Sequence, residues 1–246
     1  MKSKLGNKSN LIILEFIIRL AVFSFVVACY FLYGNIAAIV VDTPFFGRFT
    51  IVHLVWLLMM AGMVLHLFPN NTGWAANNKQ FSEVPHEQQY NQALLHQEVR
   101  KMNDGARKVL ALWISIIVVV MALYFYGIIS GSGIILIVMV FYICDAVCMF
   151  VWCPLQHFFM KTRCCVNCRI YGWGYFLVYA PLFMIVDIFT WSLALVALAL
   201  LIRWEITYAR HTERFWAGSN PALRCGNCAE QSCRFKRHLA SLRQNR

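Results

Sequence analysis

Two short polar stretches, CCVNC at 164–168 and CGNCAEQSC at 225–233, carry six of the ten cysteines in a chain that is otherwise largely apolar. Each contains a C-x2-C pair, Cys165 with Cys168 and Cys225 with Cys228. At that spacing two thiolates on one tight turn reach a single tetrahedral ion. Asn167, and Gly226 with Asn227, suit such a turn because Gly and Asn tolerate the left-handed conformation.

Two arrangements follow from the spacing. In a shared site the two C-x2-C pairs meet as four thiolates and clamp the C-terminal tail onto the 153–170 loop. With separate sites, the tail closes by itself through Cys225, Cys228, Cys233 and His238, and the loop through Cys153, His157, Cys164 or Cys165, and Cys168. The tail spacing is similar to that of a zinc knuckle, although its ligand order is CCCH where the retroviral type has CCHC. Zinc is the leading cofactor. An iron-sulfur cluster is the alternative, but neither stretch has the ferredoxin spacing C-x2-C-x2-C. Metal-free redox thiols are a third reading, in which Cys165 and Cys168 cycle as a membrane thiol oxidoreductase. Arg163, Arg169, Arg224 and Arg234 adjoin the cysteines and are expected to lower thiol pKa in either case.

A second constellation lies inside an apolar block. Cys144 and Cys148 are four apart, hence on one helical face, with Asp145 beside them. A charge at that depth is costly and marks either a packing ion pair, with Arg19 as its partner, or a proton or ion role, and the alternative function is a transporter in which Asp145, Cys144 and Cys148 line the path of a soft metal ion or other small solute. Glu15 and Arg19, at i and i+4, are expected to pair with each other. Cys29 reads as a small buried residue.

The elements that must position these groups are membrane helices. The chain is 60% hydrophobic and 13% charged, with a mean hydropathy of +0.60, far from a soluble domain. Its apolar residues fall in blocks near the ~20 residues a crossing helix needs: 11–33, 50–68, 109–128, 133–152, 171–186 and 188–203. The last two are one stretch, separated by a tight hairpin near Asp187; a single long helix there would leave five spans. Lys and Arg gather at the N-terminus, in 69–108, in 153–170 and in the tail, which favours six spans with both termini cytoplasmic. The first block is longer than a signal-peptide core and reads as a retained helix.

The expectation is an all-α polytopic bundle in the cell inner membrane. It divides into a first hairpin (1–68), a cytoplasmic loop with a surface helix (69–108), a four-helix region (109–203) and a basic Cys-rich tail (204–246). The surface helix is expected over "SEVPHEQQYNQALLHQEVRKMNDG", capped by Ser82 and broken at Asn103-Asp104-Gly105, with Leu94, Leu95, Val99 and Met102 as its apolar stripe. Its Glu83, His86, Glu87, His96 and Glu98 read as a solvated face, since a di-iron bundle needs two Glu-x-x-His pairs.

His53 and His66 sit 13 apart in one block, on different faces of a helix, which argues against haem. Trp204, Tyr208, Phe215 and Trp216, interleaved with Arg203, Arg210 and Arg214, read as an interfacial anchor. The net charge of +11 fits contact with anionic membrane lipid rather than nucleic acid. A membrane or cytoplasmic redox partner belongs to the iron-sulfur alternative. The chain lacks a Gly-rich phosphate loop, H-E-x-x-H and a serine triad, so a hydrolase or ATPase has no support.

Overall fold

The structure is a computed structural model that describes residues 2–68, 78–81, 90–162 and 167–224. Every regular element among the described residues is helical: α1 (Lys2–Tyr33), α2 (Ile36–Val41), α3 (Ile51–Leu67), α4 (Asn78–Phe81), α5 (Gln92–Phe125), α6 (Gly131–Phe150), α7 (Gly174–Tyr179) and α8 (Ile188–Arg210), with a π-helix over Leu155–Met160 and short 3-10 turns. Four helices are long and apolar enough to cross a membrane: Leu14–Tyr33 of α1, α5, Gly131–Met149 of α6, and α8. With 17 residues, α3 is also apolar but shorter.

Short polar residues set the starts. Asn35 accepts a hydrogen bond from the Ala38 amide at 3.2 Å and opens α2. Ser130 accepts from Gly133 at 3.3 Å and opens α6. Asp187 accepts from Phe189 at 2.8 Å and opens α8, so the carboxylate expected at a hairpin is the N-cap that turns the chain there.

The core is stacked in three layers. The middle joins Val22 of α1, Met59 and Met63 of α3, Val138, Met139 and Tyr142 of α6, Val178 and Tyr179 of α7, and Leu193 to Leu200 of α8. One end joins Ile36, Val120, Ile134, Ile135 and Ile185. The opposite end joins Ala106 and Val109 of α5, Met160, Cys168, Ile170, Trp173, and Trp204 and Tyr208 of α8 with Phe215. The cysteine loop, the end of α8 and residues 212–224 therefore share one face of the bundle. Because Val26, Cys29 and Tyr30 pack against the far layer, the start of α1 points toward that same face.

Two sequence expectations need correction. Residues 171–186 are not one helix: a 3-10 turn at Tyr171–Trp173, α7, and a second 3-10 stretch at Ala180–Met184 with Pro181 at its start replace it. The 3-10 rise of ~2.0 Å per residue, against ~1.5 Å for an α-helix, stretches this short segment. It thereby runs from the Trp173 layer to the Ile185 layer.

The surface helix does not break at Asn103-Asp104-Gly105. Asn91 caps it, accepting from Ala93 at 2.9 Å and Leu94 at 3.3 Å, and α5 then continues unbroken into the apolar block. Gly105 is a packing glycine: a Cβ there would lie 2.9 Å from both Met160 Sδ and the Phe159 carbonyl oxygen. Asn103 accepts from the Tyr208 hydroxyl at 2.9 Å, and Asp104 pairs with Arg107. Along the stripe, Leu95 and Met102 are buried and Leu94 is exposed.

Candidate functional site

Beneath the cysteine loop lies a cavity of about 250 Å³ whose wall includes Cys144, Asp145, Cys148, Met149, Cys153 and Cys168. It joins the intramembrane pair expected on α6 to two of the loop cysteines. Cys153 lies at the start of the π-helix, where its Sγ accepts from the Gln156 amide at 3.5 Å. The π-helix docks on α5 at Gly105 and ends at Lys161, whose φ of 50° is left-handed. A π-helix and a strained exit are both uncommon and gather at functional sites. The Gln156 side chain donates to the Thr162 carbonyl at 2.6 Å and directs the chain into the loop.

Cys168 is buried in the aromatic layer at 4% exposure, whereas His157 is exposed, its ring 6.0 Å from that of Trp152. Among the described residues no three His, Cys, Asp or Glu side chains are grouped to hold a metal ion. Cys164, Cys165, Cys225, Cys228, Cys233 and His238 lie outside the described residues, as do Glu83, His86 and Glu87.

The residue after Cys168 anchors the loop. Arg169 donates to both carboxylate oxygens of Glu205 on α8, at 2.7 and 2.5 Å, and the Trp173 indole donates to the same carboxylate at 2.5 Å. Its guanidinium lies 3.6 Å from the Tyr208 ring centre, and its carbonyl accepts from the Trp204 indole at 2.8 Å. Only glycine fits at position 172, where a Cβ would stand 2.2 Å from the Trp204 ring. Trp204 and Phe215, 5.0 Å apart edge to face, are buried with Tyr208 in this cap, so the interfacial-anchor reading of those three aromatics is replaced by a packed aromatic platform. Arg169 and Arg224, which adjoin the cysteines, both have partners of their own: Arg224 donates to the Ala217 and Gly218 carbonyls at 3.0 and 3.2 Å.

One contact ties the loop to the tail. Asn167, inside the first C-x2-C pair, donates from its side chain to the Leu223 carbonyl at 2.8 Å. Leu223 precedes Cys225 by two residues.

On the other side of Asp145 is a polar cluster between α1, α3, α6 and α7. Arg19 bridges Asp145 of α6 at 2.7 Å and Glu15 of α1 at 2.8 Å. It also donates to the Tyr175 hydroxyl at 3.5 Å and lies 5.0 Å from the Tyr142 ring centre. His66 Nδ1 donates to the Gly62 carbonyl at 2.8 Å and lies 3.1 Å from the same Tyr175 hydroxyl. Gly174 allows this approach, since a Cβ there would meet Asp145 Oδ1 at 2.8 Å. The expected Glu15–Arg19 pair is thus present, and so is the Asp145–Arg19 pair that was one of the two readings of that carboxylate. His53 is satisfied locally: Nε2 donates to the Phe45 carbonyl at 3.2 Å, and Nδ1 accepts from Thr50.

Sequence reasoning missed Glu205, Trp173, Gly172 and Gly174, and gave Asn167 a role in the turn but not its bond to the tail. The one available signal was Glu205, a lone carboxylate at the end of an apolar block, paired in charge with the Arg beside Cys168. No protein-family profile matches the chain, and neither a curated protein nor a solved structure matches it.

Proposed function

We propose that this is a multi-pass inner-membrane protein whose two C-x2-C pairs form a single metal centre at the cytoplasmic face, clamping the tail onto the loop between α6 and α7. The carrying observation is the Asn167–Leu223 hydrogen bond. Cys168 is the next residue after Asn167, and two residues of chain beyond Leu223 span at most about 7 Å. This contact holds the chain leading into the tail beside the first pair, which supports the shared arrangement over two separate sites. The Arg169–Glu205 anchor supports the same reading, because it fixes the loop to the helix that leads into the tail.

Six crossings fit the layered core, with α3 and the 171–185 segment completing the four long spans. The distribution of Lys and Arg then makes the thiol-bearing face cytoplasmic. Thiols there are kept reduced, which suits metal binding over a disulfide framework. Zinc is the proposed metal and its role structural; an iron-sulfur cluster in the same thiolates would make the centre electron-carrying and would require a redox partner.

Anaerobic purification in detergent, elemental analysis and a visible spectrum test this directly. Stoichiometric zinc without a visible band is the expected result, while iron with acid-labile sulfide would replace the structural role by electron transfer. Cys225→Ser should strip the metal and expose the tail to protease. A tail that keeps both its metal and its protease resistance in Cys225→Ser would refute the clamp.

A further inference from the structure

The cavity beneath the loop has a donor set of its own that the clamp does not use. Cys144 and Cys148 are one turn apart on α6, with side chains about 5–6 Å apart at their Cβ atoms, and both line the cavity with the Met149 thioether. The wall also carries Cys153, whose Sγ accepts from the Gln156 amide, and the clamp thiol Cys168, while Phe141, Pro154, Leu155, Leu177 and Val178 add hydrocarbon.

Oxygen donors are scarce. The Asp145 carboxylate holds Arg19 at 2.7 Å, Gln156 offers one amide oxygen while its nitrogen donates to the Thr162 carbonyl, and the Tyr171 hydroxyl faces Met149 Sδ at 4.0 Å. Such a wall cannot replace the six or more oxygens of a hard cation. It also lacks the tetrahedral set zinc requires, since no three His, Cys, Asp or Glu side chains among the described residues are grouped for one ion. Thiolate and thioether sulfur select soft cations, and a low-coordinate monovalent ion needs only two or three of them.

We propose that this cavity binds a monovalent soft cation of the copper(I) class through the Cys144 and Cys148 sulfurs and the Met149 thioether. Binding displaces the two thiol protons to water, exchanges no electron and takes the metal as copper(I). The ligands are separate from both C-x2-C pairs, so the site does not depend on the clamp.

The test is anaerobic titration of the full chain in detergent with copper(I) buffered by bathocuproine disulfonate, in a Cys225→Ser/Cys228→Ser background that removes two clamp thiols. One equivalent per chain is expected. Cys144→Ser/Cys148→Ser should abolish it, and Met149→Leu, which keeps the volume, should weaken it by about tenfold. Cys29→Ser should leave it unchanged, because Cys29 lines a different, larger cavity of about 700 Å³ walled by α1, α2, α3, α6 and α8.

Retention of the equivalent in the double-serine variant overturns the proposal. Should that variant fail to run as a single species on gel filtration, Met149→Leu decides alone, and an unchanged affinity overturns it. Zinc content of the otherwise wild-type chain is read separately and reports only on the clamp.

Discussion

Two arginines, each 5% exposed, organise the molecule in different ways. Arg19 sits among membrane helices, held by carboxylates from two of them and by two tyrosine rings. Arg169 sits in the aromatic platform, held bidentately by one carboxylate and stacked on Tyr208. The first joins α1 to α6 and balances charge where water is scarce. The second fixes a loop residue next to a thiol. The same side chain is thus helix glue in one region and a positioning device in the other.

Breaking the Arg19 cluster should have the largest effect. Arg19→Met strands two carboxylates and should cost about 3–5 kcal/mol, the scale for removing one partner of a buried ion pair. Thermal unfolding in detergent measures it, and Asp145→Asn added to Arg19→Met should recover part of the loss. An unchanged unfolding temperature in Arg19→Met would remove the distinction between the two regions. Asp145→Asn by itself should leave the metal content of the tail untouched.

Glu205→Gln sharpens the comparison from the other side. It keeps a shape that accepts from Trp173 but removes the charge opposite Arg169, and it should lower metal affinity about tenfold, as loss of an outer-shell partner does. Equilibrium competition with a zinc chelator reads this out. Wild-type affinity in Glu205→Gln would make the Arg169 region structural only. The smallest expected effect is Asn167→Ala, worth about 1 kcal/mol for one hydrogen bond, seen as faster proteolysis of the tail with the metal retained.

Much of this was legible in the sequence because it depends on local spacing. The apolar blocks at 11–33, 109–128, 133–152 and 188–203 lie along α1, α5, α6 and α8. The Glu15–Arg19 pair follows from i,i+4 geometry, and Arg19 was the cation lying well inside an apolar block that could partner Asp145.

What was hidden depends on distant contacts. Gly105 looks like a helix stop because its packing against Met160, 55 positions later in the chain, cannot be read from its neighbours. Trp204, Tyr208 and Phe215 have the composition of a lipid-interface belt, and only tertiary packing makes them a core. The 171–186 block has the apolar length of a helix, yet Pro181 and the close approaches of Gly172 to Trp204 and Gly174 to Asp145 accompany a tighter winding. The thiol pairs themselves were legible, whereas the Asn167–Leu223 bond that draws their sequences together was not.

The central claim is that the two C-x2-C pairs share one ion, and metal stoichiometry in single variants tests it most directly. Zinc per chain should be one in the wild type and near zero in Cys168→Ser and Cys225→Ser alike. Two zinc ions per chain in the wild type, with each substitution removing only one of them, would contradict the account and establish two separate sites.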